Sequence, residues 1–169
     1  MVDIQTLLTY LTLISVPVGV AYHIMTLNNT RKNQQMTLET RQAQMFLGMV
    51  NRWRDETKGL NVWDIIGKKL ENGEEYLSCY SSDAEFAQVM DSMFSFYETL
   101  GVFVKQDYVS IHLVALMWAG MTRTFYENVV SNTLRDLQVH WNLPRLWSET
   151  NYVCKELIAY TKEHPELAS

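Results

Sequence analysis

SDAEFAQVMDSMFSFYETLGVFVK, residues 82–105, decides the fold. Phe86, Met90, Met93, Tyr97, Leu100 and Val104 succeed one another at alternating spacings of four and three. That period keeps one face of an α-helix apolar. Ala87, Phe94 and Gly101 widen the stripe, and a glycine there lets another helix approach closely. Ser82-Asp83-Ala84-Glu85 reads as a capping box, in which the first hydroxyl and the last carboxylate satisfy free backbone N–H groups. The segment is therefore expected to be a core helix that begins at Ser82.

Downstream, Gln106-Asp107 makes a turn and Ser110 caps a short apolar helix, IHLVALMW. Gly120 is expected to separate it from a helix over residues 121–141, where Tyr126, Val130, Leu134, Leu137 and Trp141 share a face. Asn142 then caps a last helix with Pro144 in its first turn, where proline is tolerated. Leu146, Val153, Leu157 and Tyr160 line that helix as far as Pro165.

Upstream, residues 31–57 contain no proline and one glycine. Met36, Ala43 and Val50 recur every seven residues, with Phe46 and Trp53 between them. Two and a half heptads do not make a coiled coil, so the expected burial partner is the core of its own domain. Gly59 and Asn61 end this helix, and a short amphipathic piece, VWDIIGKKLEN, comes next. ENGEE reads as a turn on Asn72-Gly73, and residues 76–82 as a connection.

The first thirty residues differ from all the rest. IQTLLTYLTLISVPVGVAYHIMTL, residues 4–27, carries no charge, and the next charge after it is Arg31. Twenty-four helical residues span roughly 36 Å, enough for a hydrocarbon core of about 30 Å. A signal peptide would need a basic start and a shorter apolar run with a cleavage site. MVDIQ supplies an acid instead, so an uncleaved transmembrane anchor is expected. Only Asp3 precedes the span, whereas Arg31, Lys32 and Arg41 come after it. Basic flanks stay cytoplasmic, which puts the N-terminus outside and residues 31–169 inside. The sequon Asn28-Asn29-Thr30 then faces the wrong side for glycosylation. The span is expected to run into the next helix, with Asn28-Asn29 as the place for any break.

Gln5, Thr9, Thr12, Gly19 and His23 line one face of the span at about 3.5-residue spacing. Small and polar residues in lipid mark the surface where another helix packs. His23 alone reads as a headgroup-level residue, and Pro17 as a kink. The expected partner is another transmembrane protein, or a second copy through the same span.

Composition agrees with this division. The chain has 169 residues, 47% hydrophobic and 20% charged, with a net charge of −5. Disorder is excluded by the apolar content, and a general nucleic-acid footprint by the acidity. Two cysteines exclude a disulfide scaffold, and Cys79 and Cys154 are expected as free thiols. All 14 basic residues lie after residue 30, as do all the acids except Asp3. The hydrophobic percentage thus averages a lipid-facing anchor, residues 1–30, with an acidic domain, residues 31–169. With no alternating apolar run or repeat, the expected fold is all-α: one transmembrane helix and a compact cytoplasmic bundle of about five to six helices.

Motifs of chemistry are missing. There is no Cys-x-x-Cys, no Glu-x-x-His for a di-iron centre, no His-Glu-x-x-His, no Gly-x-Ser-x-Gly and no phosphate loop. No cofactor or metal is expected. Glu98 interrupts an apolar face and is expected to pair with an arginine from another helix. Arg123 and Glu127 are four apart, in reach of each other on a helix. These three are the candidate buried polar or pocket residues. His112 and His140 read as core-edge or surface histidines. Met90, Met93, Met117 and Met121 read as core, with an adaptable groove as the other use of methionine.

Three stretches carry a resemblance: ETRQAQMFLGMVNRW, FYETLGVFVKQDYVSIHLV and FYENVV…NLPRLWSETNYV. They resemble a prokaryotic family of short, N-terminally membrane-anchored helical proteins catalogued as a domain of unknown function. The resemblance implies the architecture above and packing roles for Glu98 and Glu127, but no activity. The leading expectation is a non-catalytic interaction protein or accessory subunit of a membrane complex. The alternatives are a membrane-tethered small-ligand sensor with Glu98 and Arg123 in its pocket, an enzyme using Glu98, Glu127 and His140, and a membrane-disrupting effector.

Overall fold

The computed structural model describes residues 3–167, except for the side chains of residues 6–12 and 14–17. Helix is the only regular structure among the described residues. The chain divides into two units, Met1–Gln44 and Met45–Ser169.

α1 runs from Ile4 to Glu56 without interruption. The first helix does run into the next, as expected, and no break falls at Asn28-Asn29. Two asparagines weaken a helix only by propensity, and no proline or glycine stands beside them to end it. Helix also continues through Pro17. The first unit is this helix as far as Gln44, and from residue 31 to Arg41 every side chain is exposed. Met36 and Ala43 are thus exposed, contrary to the seven-residue reading, and burial begins at Phe46 and Val50.

In the second unit, the last turns of α1 pack Phe46 edge-on against Trp118, and Trp53 against Phe96. Gly59 ends them with φ +83°, a conformation open to glycine. α2 (Val62–Gly67) buries Val62 and Ile66. α3 (Gly73–Ser82) replaces the expected turn and connection. Asn72 is its N-cap and accepts a hydrogen bond from Glu75 N at 3.0 Å. Asparagine before glycine signals a turn, but it is equally a strong N-cap, and two acids in the first turn favour the helix.

Because Ser82 closes α3, the cap of α4 (Ala84–Lys105) moves on by one residue. Asp83 Oδ1 accepts from Glu85 N at 2.9 Å and Phe86 N at 3.1 Å. Glu85 does not reach back to its own cap; it accepts from Asn61 N at 2.8 Å and so caps α2 instead. The stripe read from the sequence is buried from Phe86 to Leu100, with Val104 half-buried at its end.

α5 (Ile111–Phe125) starts at Ser110, whose hydroxyl accepts from Leu113 N at 3.3 Å. Gly120 does not end it. The helix continues through a π-helical turn, Tyr126–Val130, into α6 (Ser131–His140). The turn exists where α2 is tied on. Asn128 O accepts from Leu70 N at 2.9 Å, and its side-chain amide donates to Ile66 O and Gly67 O at 3.1 and 3.2 Å. One wide turn frees a carbonyl from the α ladder for that use.

Asn142 is not an N-cap. It sits beyond α6 with φ +53°, the left-handed position that ends a helix. α7 (Ser148–Glu163) begins six residues later, after Trp147, which is also left-handed at φ +51°. Trp147 stacks on Phe94 with ring centroids 3.8 Å apart. α7 packs most extensively against α4 and α5. Between these helices Tyr97 is fully buried, stacked on Phe125 and bonded to Thr122 Oγ1 at 2.9 Å. Thr122 Oγ1 in turn donates a hydrogen bond to Trp118 O at 2.8 Å, so the buried pair is satisfied.

Candidate functional site

The residues singled out in the sequence fall in separate places. Gln5, Thr9, Thr12, Gly19 and His23 are all on α1, where an unbroken helix confines these positions to an arc of about 80°. Gln5 and His23 are exposed. The side chains of Thr9 and Thr12 lie outside the described residues. Among the described residues, no helix is long and apolar enough to cross a membrane. Much of the span expected from sequence lies where side chains are not described, at residues 6–12 and 14–17.

Glu98 belongs to the seam between α4 and α7. The expected arginine is not its partner. Its Oε2 accepts from Thr150 N at 2.9 Å and from Thr150 Oγ1 at 3.0 Å. Trp147 offers α7 no side-chain cap, so an acid from a neighbouring helix supplies one. One turn further along α4, Gly101 lies against the backbone of Glu149, whose carbonyl carbon would stand 2.8 Å from an added Cβ. Lys105 closes the seam. Its ammonium bonds Glu149 Oε1 at 2.8 Å, lies 2.7 Å from Oε2, and sits over the Tyr152 ring. The second of those contacts is an ion pair without hydrogen-bond geometry. Glu98, Gly101 and Lys105 thus act together as the surface that receives α7.

Arg123 and Glu127 form no ion pair within 4.0 Å. The π turn begins between them and spoils the register that four-residue spacing assumes. Two of the surface depressions of this unit bear on small-molecule binding. One, of about 260 Å³, lies between α1 and α4 and is lined by Met49, Arg52, Trp53, Ser95, Phe96 and Thr99 among others. Another, of about 520 Å³, lies between α3 and α6 and includes Gly73, Arg135, Asp136 and His140. Neither contains Glu98, Arg123 or Glu127. The three groups of the enzyme reading are therefore not gathered in either.

Methionines 90 and 93 are buried in the core, while Met117 is exposed and Met121 half-buried. His112 is exposed and meets the Tyr160 hydroxyl at 3.1 Å. Both cysteines are free. Burial pushes the Cys154 thiol well above its ordinary range, and the Tyr76 and Tyr97 hydroxyls likewise. No group of three His, Cys, Asp or Glu among the described residues is placed to hold a metal ion. Sequence reasoning missed Thr150 and Asn128. Thr150, in Ser148-Glu149-Thr150, carried a helix-start signal hidden by the apparent cap at Asn142. Asn128 carried none.

The chain matches no protein-family model, no curated protein and no solved structure.

Proposed function

We propose that this chain is a membrane-anchored helical interaction protein, an accessory subunit of a membrane complex that performs no catalysis itself. One observation carries the reading. Between Ile4 and Thr30 α1 holds no charged residue, and Leu13, Val18, Tyr22 and Met25 are 62–68% exposed. Apolar surface of that extent is covered in use by lipid or by another chain. The arc of Gln5, Thr9, Thr12, Gly19 and His23 suits a helix partner, either another transmembrane protein or a second copy. Arg31, Lys32 and Arg41 favour the cytoplasmic side for residues 31–169, with the N-terminus outside.

A ligand sensor would need Glu98 free in a hollow, and Thr150 engages that carboxylate. The test is alkaline carbonate extraction of native membranes, then purification in mild detergent. The expected protein stays in the membrane pellet and co-purifies with a second integral protein or as a homo-oligomer. Release by carbonate overturns the anchor, and a strictly monomeric particle with no partner overturns the interaction role. A glycan on Asn28 overturns the orientation.

A further inference from the structure

We infer that Asn72 is a site of spontaneous deamidation that the fold holds shut, and that release of the first turn of α3 opens it. Asparagine is chemically labile, most of all before glycine, where no side chain shields the nitrogen that follows. Asn72 is the only asparagine of the chain that precedes a glycine. In the reaction the Gly73 amide nitrogen gives up its proton and attacks Cγ of Asn72. The new C–N bond closes a succinimide, and the side-chain nitrogen leaves with that proton as ammonia. Water then adds to one ring carbonyl and opens the ring to aspartate or isoaspartate, with nothing oxidised or reduced.

Both residues of the labile pair answer a structural demand. Asn72 caps α3, and Gly73 is buried where an added Cβ would collide with the Asp136 side chain on α6. The same surroundings hold the groups that the reaction must move. Gly73 N donates to Asp136 Oδ2 at 2.9 Å. Taking the proton from that nitrogen would set a second negative charge against the carboxylate. Asn72 Oδ1 accepts from Glu75 N at 3.0 Å, and Asn72 O accepts from Tyr76 N at 3.3 Å. On the other side Glu71 N donates to Glu75 Oε2 at 2.8 Å, and Leu70 O accepts from the Asn132 amide at 2.9 Å. Asn72 is extended at ψ 178°, and ring closure has to turn that bond.

Water is not what is missing. Asn72 is exposed, and it lines the hollow between α3 and α6 together with Gly73 and Asp136. The restraint is conformational, and helix ends open at less cost than cores. A reaction confined to the open form follows the population of that form when opening and closing are fast. Loss of ammonia makes the step one-way. Isoaspartate carries the main chain through Cγ, which takes away the cap and shifts Gly73 from Asp136. The deamidated fraction thus records how long the start of α3 has stood open.

Full-length protein in mild detergent, kept at physiological pH and temperature, tests this. The peptide carrying Asn72 is followed by mass spectrometry for deamidation and isoaspartate. The same chain unfolded in guanidinium chloride supplies the reference rate. The folded protein should react more slowly than this reference by about tenfold or more. Asp136→Ala removes the acceptor and keeps Cβ, so it should speed the folded protein by about tenfold and leave the unfolded rate alone. In the wild type, mild urea should raise hydrogen exchange at Gly73 N and deamidation in step. Equal folded and unfolded rates overturn the inference, as does a folded Asp136→Ala that reacts like the wild type. Deamidation that does not follow Gly73 exchange overturns it as well.

Discussion

Glu98 on α4 holds Thr150 on α7 through two hydrogen bonds to one carboxylate oxygen, from the backbone N at 2.9 Å and from Oγ1 at 3.0 Å. The pair joins residues 52 apart in sequence and caps a helix that has no cap of its own. Glu98→Ala leaves a buried N–H and a hydroxyl without that acceptor, at a cost of about 1–3 kcal/mol. Glu98→Gln keeps an acceptor oxygen and should cost less. Urea unfolding of both variants measures this, and an unchanged midpoint for Glu98→Ala would refute the capping role.

Gly101 and Gly48 make opposite predictions. Both sit inside helices, but only Gly101 faces another backbone. Gly101→Ala should force α7 away from α4 and cost about 1–3 kcal/mol by overpacking. Gly48→Ala meets nothing within 4 Å and should stabilise by about 0.5–1 kcal/mol. Melting temperatures that move in the same direction would contradict the packing described.

Asn128 donates to two carbonyls, Ile66 O and Gly67 O. Asn128→Ala should loosen α2 by about 1–2 kcal/mol. Asn128→Asp should be worse, because it points a negative oxygen at two acceptors. Limited proteolysis in the 57–72 region reads the effect. Equal protection of the two variants would show that hydrogen-bond direction does not matter there.

Alkaline pH should destabilise the fold. Burial raises the Tyr76 and Tyr97 hydroxyls and the Cys154 thiol above their ordinary values. Groups with raised native values stabilise fully below the unfolded values, and that contribution is lost as pH rises. Stability should therefore hold to about pH 8–9 and fall above it, by up to about 1.4 kcal/mol per pH unit for each group. Tyrosinate absorbance from these two rings should appear only with unfolding. A thiol reagent should label Cys79 in the native protein and Cys154 only after denaturation.

The helical class and the core stripe of α4 were legible because their period is local. Phe86 to Leu100 declare a buried face through spacing alone. The caps were harder, because Ser82, Asp83 and Asn72 each suit two neighbouring roles and the preceding helix decides between them. Gly120 misled for a related reason: exposed glycine reads as a boundary unless packing is known. The partner of Glu98 was illegible. Thr150 is nothing unusual in sequence, and only the approach of α7 along Gly101 brings it into reach. Arg123 and Glu127 failed as a pair because a π turn leaves no mark in residue spacing.

That turn also bears on the order in which the molecule assembles. α2 has six residues, too few to persist as an isolated helix in water. It is held through Leu70 N and the Ile66 and Gly67 carbonyls by Asn128, about sixty residues away. Closing a loop of that length comes late, after local helices have formed. α2 is thus a late passenger of folding, and the Leu70 amide is a hydrogen-exchange reporter of whether the α5–α6 helix has matured.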